Sequence, residues 1–312
     1  TRVRSSAASD VYKRQNLGSI MNFKEELKKY ATIVDKELEK YVRKNDCIEK
    51  KLNQSVEYSL MAGGKRLRPT LILATYKLFK NDTKVCMPYA VAIEMIHNFS
   101  LIHDDLPGID NDDFRHGKPT NHKMFNEATA ILAGDSLLNN AYLIISENLK
   151  NNLTKENVDS FYELTYAVDR MLIGEYVDTE YEGKQALIDE LEYMHKNKTG
   201  ALIRAAVRIG AILAKVNEED LINLTNYAEK IGLAFQIRDD ILSEIGDEKV
   251  LGKPVGNDRK RKKCTYVTKY GLEKAEQELE KNIQEALNCL KPYGEKAKFL
   301  KDLAIYIGNR NK

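Results

Sequence analysis

The sequence predicts an all-α fold, and three observations predict it. Only 17 Gly and 6 Pro punctuate 312 residues, too few for the many turns of a sandwich or barrel. Apolar residues return every three or four positions from Met21 almost to the C-terminus, the period of a helix stripe rather than of a strand. The breakers that exist cluster at Gly63-Gly64, at Pro107-Gly108 through Pro119, and at Gly246 through Lys263. Long helices fit between them.

Taken in order, Phe23, Leu27, Ala31, Ile33, Val34, Leu38, Tyr41 and Val42 trace the first stripe, which predicts a helix near 22–50. Further stripes predict helices near 52–62, 69–80, 85–106, 127–149, 155–182, 187–214, 218–245, 265–292 and 296–309. About ten helices with short connections make one large bundle. No Pro/Gly/Ser-rich linker divides the chain and no fixed-period repeat runs through it, so one domain is expected over 21–312. Residues 1–20 stand apart, being Arg- and Ser-rich with Asp10 as the single acid. They read as a disordered leader or misread upstream sequence in preference to a transit peptide, and are excluded from the fold.

Composition excludes several classes. Lys+Arg 49 against Asp+Glu 47 leaves +2, so no global field points to nucleic acid. No apolar run approaches the roughly 18 to 20 residues of a membrane span, which predicts a soluble chain. Cys47, Cys86, Cys264 and Cys289 are scattered without a Cys-x-x-Cys pair, which suggests neither a zinc ribbon nor a disulfide framework but a reduced, cytoplasmic protein.

Two acidic clusters carry the chemistry. Five aspartates fall within ten residues, Asp104, Asp105, Asp110, Asp112 and Asp113, directly after the apolar stretch Val91 to Ile102. Such density repels itself unless cations occupy it, and acids at a helix C-terminus also oppose the macrodipole. On a straight helix Asp104 and Asp110 would point about 120° apart, so Pro107-Gly108 must break the helix and swing Asp110 round. Phe114 and Arg115 stand where an EF-hand needs a ligand and a glycine. The second pair, Asp239-Asp240, follows Phe235-Gln236-Ile-Arg on an otherwise apolar helix whose flanks would bury it. Paired carboxylates there need a metal or an arginine. Oxygen-only donors suggest Mg²⁺, which binds through one or two carboxylates plus substrate phosphates.

Candidate anion-binding groups accompany them: Gly63-Gly64-Lys65-Arg66-Leu67-Arg68-Pro69, Arg115, Lys198-Thr199-Gly200, and the basic run Lys253 to Lys263. Gly-Gly lets backbone amides approach a phosphate that Lys and Arg then neutralise. His97, His103, His116 and His122 surround the first cluster, but no pair has the spacing of a helical zinc site.

These residues make the chain recognisable. It resembles the trans-type polyprenyl diphosphate synthases, and among them the bacterial farnesyl diphosphate synthases, from about Met21 onward. The resemblance rests on Glu94 to His122, Ala130-Ile-Leu-Ala-Gly-Asp135, Gly63 to Pro69, Lys198 to Ile203, Phe235 to Asp240 and Gly252-Lys253, all in the family's order. It implies an all-helical bundle with the two aspartate motifs facing each other across a central cavity, usually in a homodimer. It implies Asp104, Asp110 and Asp239 as carboxylates on three Mg²⁺ ions, with Asp105 and Asp240 in support. Those ions, with Arg115, Lys198, Lys253 and Lys263, would clamp an allylic diphosphate, dimethylallyl or geranyl, as its C–O bond ionises. Isopentenyl diphosphate, held without metal by Lys65, Arg68 and His97, would alkylate the cation and lose a proton to the departing diphosphate. Thr199 and Gln236 would direct oxygen dipoles at the cation. Phe99, five residues before the first aspartate, would gate the product at fifteen carbons, with a twenty-carbon product as the alternative.

Three departures from the family pattern bear on function. His116 replaces the second arginine of Arg-Arg-Gly and lacks a guanidinium's fixed charge and fork. Ser243 replaces a third aspartate in the second motif, and Glu175 stands where glutamine is usual. A terpene cyclase of the same fold is the rival favoured by His116 and opposed by Lys65, Arg68 and His97. A noncatalytic partner subunit would be free to lose the aspartates that all remain here, and a phosphohydrolase built on His103-Asp104 lacks a second upstream histidine ligand.

Overall fold

The computed structural model describes residues 23–42, 47–182, 184, 188–245 and 265–310. The 1–20 segment and the predicted ligands Lys253 and Lys263 lie outside the described residues. Among the described residues there are thirteen α-helices and one two-stranded ribbon, so the all-α expectation holds. The helices are α1 (23–38), α2 (Lys50–Leu60), α3 (Leu67–Lys77), α4 (Met87–Asp104), α5 (Asn121–Met124), α6 (Glu127–Asn151) and α7 (Lys155–Tyr181). They continue as α8 (Ile188–Lys198), α9 (Gly200–Leu213), α10 (Glu218–Ile245), α11 (Tyr266–Tyr270), α12 (Leu272–Cys289) and α13 (Lys298–Asn309).

Several sequence-based boundaries need correction. The first stripe does not run to residue 50, because α1 gives way to a 3-10 turn at Glu39–Tyr41. The stretch 187–214 is two helices, since Thr199, with φ −109° and ψ −40°, interrupts the ladder between α8 and α9. The stretch 265–292 is also two, because Gly271 at φ 83° and ψ 160° cannot continue a helix. Side chains mark the true starts: Asn126 accepts the N–H of Thr129 at 2.7 Å, and Thr265 forms a reciprocal capping box with Thr268.

Helix α4 is the axis of the bundle. Eleven of its eighteen residues are buried, polar Glu94 and Asn98 among them, and it packs against α2, α3, α6 and α9. A second layer joins α7 to α8 and α9, and α10 to α9, α12 and α13. Two stretches, Thr83–Asp104 and Glu127–Asn151, do reach the length and hydropathy of a membrane span, which the sequence reading had missed. The first is two-thirds buried and is the core helix just described.

Buried charge pins the base of α3 to the core. Arg66, in the left-handed conformation at φ 47°, donates Nε to Asp35 at 2.8 Å, Nη1 to Glu94 at 2.7 Å and Nη2 to the Leu60 carbonyl at 2.7 Å. These bonds compensate both buried charges. They also fix the direction in which Lys65 and Arg68 leave the chain.

Candidate active site

Helix α4 ends at Asp104, and the chain turns back at once. The N–H groups of Ile109 and Asn111 both donate to the Leu106 carbonyl, at 2.9 and 3.1 Å, and that of Asp110 donates to the Asp104 carbonyl at 2.8 Å. The turn therefore brings Asp110 beside Asp104, as the Pro107-Gly108 break requires. The ribbon that follows pairs Arg115 with Lys118, leaving His116 and Gly117 as its two-residue turn at φ 52° and 75°. Two successive positive φ values define the turn that suits a tight hairpin. Histidine tolerates that conformation better than most non-glycine residues.

The adjacent aspartates are engaged differently. Asp105 is 2% exposed, and both its oxygens accept from Arg115, Nε at 2.8 Å and Nη2 at 2.6 Å. Burial pushes the Asp105 carboxyl up although Arg115 holds it down. Asp104 instead lines a cleft of about 700 Å³ with Phe99, His103, Met171, Glu175, Lys198 and Thr199. Lys198 donates to Asp178 at 2.6 Å and lies 2.8 Å from Glu175. Burial opposes the Lys198 charge, but Asp178, Glu175 and Asp104 together outweigh it and raise its pKa. Asp104 is pushed up to about 7, first by burial and then by the Glu175 charge. Three carboxylates, Asp104, Glu175 and Asp178, thus act on the one Lys198 ammonium.

A second cleft of about 860 Å³ adjoins it, lined by Gly63, Gly64, Lys65, Arg68, His97 and His116 among others. Arg68 and His97 line both. Burial, then Arg68, Arg115 and Arg66, holds His97 well below the usual histidine range. Burial and Arg115 lower His116 in the same sense. In both cases the surroundings disfavour the charged imidazolium. The Nε of Arg68 is buried with no protein partner, and the Lys65 ammonium sits 5.7 Å from the Tyr306 ring centroid.

The second motif lies on α10. Asp239 accepts from Nη2 of Arg310 at 2.6 Å, and the same guanidinium stacks 3.8 Å above the Phe235 ring. Asp240 is 8% exposed and accepts the N–H of Tyr266 at 2.8 Å, with Nε2 of His195 at 3.5 Å. Asp240 thus fastens the start of α11. Gln236 is half-buried on the same helix, and Ser243 is buried.

Among the described residues, no three His, Cys, Asp or Glu side chains converge as a closed metal cage. The donor set still fits Mg²⁺, because that ion is held by one or two carboxylates and completes its shell with water and phosphate. Asp104 stands at the cleft beside a second carboxylate, Glu175, whereas Asp239 is paired with Arg310 in this structure.

A family model for polyprenyl synthetases matches residues 49–303. The chain belongs to the polyprenyl synthetase family. The farnesyl diphosphate synthase of Micrococcus luteus is 42% identical over 85% of this chain and 91% of its own. The geranylgeranyl diphosphate synthase of Cyanophora paradoxa is 43% identical over 82% of this chain and 87% of its own. The crystal structure of an FPP/GFPP synthase from Zymomonas mobilis superposes with TM-score 0.82 and 33% identity, covering 93% of this chain and 99% of that one.

Within this polyprenyl synthetase, sequence reasoning missed Arg310, Asp178 and the structural role of Arg66. Arg66 was legible in principle, since it stands in Gly63–Pro69 and its partner Glu94 opens the longest recognised stretch. Arg310 reaches Asp239 across 71 positions, and nothing local announces that pairing.

Proposed function

We propose that this chain is a Mg²⁺-dependent head-to-tail prenyltransferase that condenses isopentenyl diphosphate with dimethylallyl and geranyl diphosphate to give farnesyl diphosphate. The observation that carries the reading is the pair of adjoining clefts. One combines carboxylates and Lys198 at its mouth with apolar walls beyond, and the other is ringed by Lys65, Arg68, His97 and His116. Two diphosphates bound there would meet at the shared residues Arg68 and His97.

In this reading Asp104, Asp110 and Asp239 hold the metal, three ions in the fully loaded site, with Asp105 positioning Arg115 and Asp240 positioning α11. Bound Mg²⁺ supplies positive charge against the diphosphate leaving group as the C–O bond ionises. Lys198 adds a fixed ammonium to the same leaving group. Asp178 and Glu175 orient it, and the extra carboxylate at 175 moderates its charge. Lys65, Arg68 and His97 hold the second diphosphate, and His116 contributes a neutral ring where a guanidinium is usual. The oxygens of Thr199 and Gln236 face the allylic carbon. The apolar wall formed by Phe99, Met171 and Leu172 excludes water from the carbocation. Lys253 and Lys263 complete the allylic clamp.

Product length cannot be taken from identity, because the two diphosphate synthases above are equally similar. Phe99 supports the fifteen-carbon product: its ring is 4% exposed and lines the same cleft as Asp104. The protein acts in the cytoplasm as a homodimer.

The test is product analysis with labelled isopentenyl diphosphate, Mg²⁺ and dimethylallyl, geranyl or farnesyl diphosphate in separate reactions. Labelled C15 from the first two and no extension of the third is expected, and Asp104→Ala should remove incorporation. A C20 product from farnesyl diphosphate would reassign the chain length. Hydrocarbon released from an allylic diphosphate alone would replace the prenyltransferase with a cyclase.

A further inference from the structure

Gly134 lies inside α6, where glycine costs a helix about 1 kcal/mol relative to alanine. A Cβ at this position would stand 2.3 Å from Nε2 and 2.5 Å from Cδ2 of His103. The missing side chain is a slot, and the imidazole of His103 fills it. Within the slot Nε2 lies 3.1 Å from the carbonyl of Ile131 on the same helix. A carbonyl only accepts, so the ring nitrogen donates. The ring also meets Phe99 edge-on, with centroids 4.8 Å apart at 72°. Phe99 and His103 are one turn apart on α4, the spacing at which helix side chains touch, and both line the cleft at whose mouth Asp104 stands.

The chain of contacts is therefore α6 backbone to His103 to Phe99 to cavity wall. A phenyl ring at the end of a cleft rotates about χ1 and χ2 unless a neighbour stops it. Here the stop is a ring anchored on a different helix. We propose that His103, seated in the Gly134 slot, is a positioning residue that holds Phe99 across the cleft and so limits product length. The inference rests on reading Phe99 as the gate. The contact of His103 with Asp135 at 3.8 Å plays no part in it.

The experiment uses the full chain with geranyl and, separately, farnesyl diphosphate as primer for labelled isopentenyl diphosphate. His103→Ala frees Phe99 to swing into the vacated slot and deepens the cleft. The C20 to C15 ratio should rise roughly tenfold, the scale of one aromatic contact and one hydrogen bond, and farnesyl diphosphate should become a primer. Gly134→Ala keeps the imidazole but displaces it from Ile131, and should move the ratio in the same direction. Circular dichroism establishes that each variant is folded. Should His103→Ala lose its fold, Gly134→Ala decides the matter alone. A residue of merely structural importance would lower turnover and thermal stability without changing the ratio. Phe99→Ala, run in parallel, separates the two readings. If it lengthens the product while folded His103→Ala and Gly134→Ala keep the parental ratio, the gate stands and the positioning role is overturned. If Phe99→Ala itself stops at C15, the gate falls, and the role of His103 falls with it.

Discussion

His97 shows how a residue can be legible in type and illegible in state. Its place in Glu94 to His122 marked it as a diphosphate ligand, and a cation would have been the natural guess for that task. The fold instead surrounds it with Arg68, Arg115 and Arg66 and withdraws it from water, so its pKa falls well below 6.5. The depressed value makes stability depend on pH. Above pH 6.5 both folded and unfolded chains carry neutral His97, and the stability is fully present. As pH falls below 6.5, the unfolded chain takes up a proton that the folded chain refuses, and stability declines by up to about 1.4 kcal/mol per pH unit for this group. His116 adds the same sign, whereas Asp104, with its raised pKa, favours the fold at lower pH. The difference between parent and His97→Gln isolates the histidine. Urea denaturation at pH 7.5, 6.5 and 5.5 should show the variant losing less stability between the last two than the parent does. Equal losses would mean that His97 is protonated in the fold.

At the scale of elements, the sequence period located nearly every helix, because burial stripes of this length have no competing reading. What it missed were three breaks, after α1, at Thr199 and at Gly271. Lys198-Thr199 sits in a continuous stripe, yet the ladder stops there, directly before Gly200 opens α9. The junction packs tightly against another helix. Gly174 of α7 lets the backbone of Lys198 approach so closely that a Cβ would stand 2.2 Å from its N and 2.6 Å from its Cα. Backbone cannot swing aside as a flexible side chain can. Gly174→Ala must therefore push α7 away from the α8–α9 junction, at about 1 to 3 kcal/mol of overpacking. That outweighs the gain of up to about 1 kcal/mol from better helix propensity. A lower urea midpoint is expected, together with a higher KM for the allylic diphosphate, because Lys198 moves away from Glu175 and Asp178. A midpoint at or above the parent's would show that the junction yields freely. The acidic turn after α4 is the opposite case: Pro107-Gly108 announced the break, and the paired N–H groups on Leu106 carry it out.

For the whole molecule, the remaining question is what covers α7. Val158, Tyr162, Tyr166, Leu172 and Tyr176 are all exposed, from 44% to 65%, and at 100° per residue they fall within an arc of about 120°. Neighbouring α6 adds exposed Leu132 and Leu143, which differ by about 20° around that helix. Scattered apolar residues on a surface need no explanation, but a stripe along one helix with support from the next marks an interface. We propose a second copy of the chain as the occupant, because a twofold axis across α6 and α7 would set each stripe against its equivalent. Leu172 joins this face to the reaction, because it also lines the cleft that holds Asp104 and Phe99. Pairing would close that wall against water, so assembly and catalysis should fail together. Tyr162→Asp with Tyr166→Asp places two charges on each copy at the stacked pair, whose ring centroids are 6.0 Å apart. These side chains lie outside the core, so the monomer should keep its helical content. Sedimentation should shift from dimer to monomer, and isopentenyl diphosphate incorporation should fall at low protein concentration and recover in part as concentration rises. A parent chain that sediments as a monomer at micromolar concentration, or a doubly charged variant that remains dimeric, would leave α7 facing some other partner.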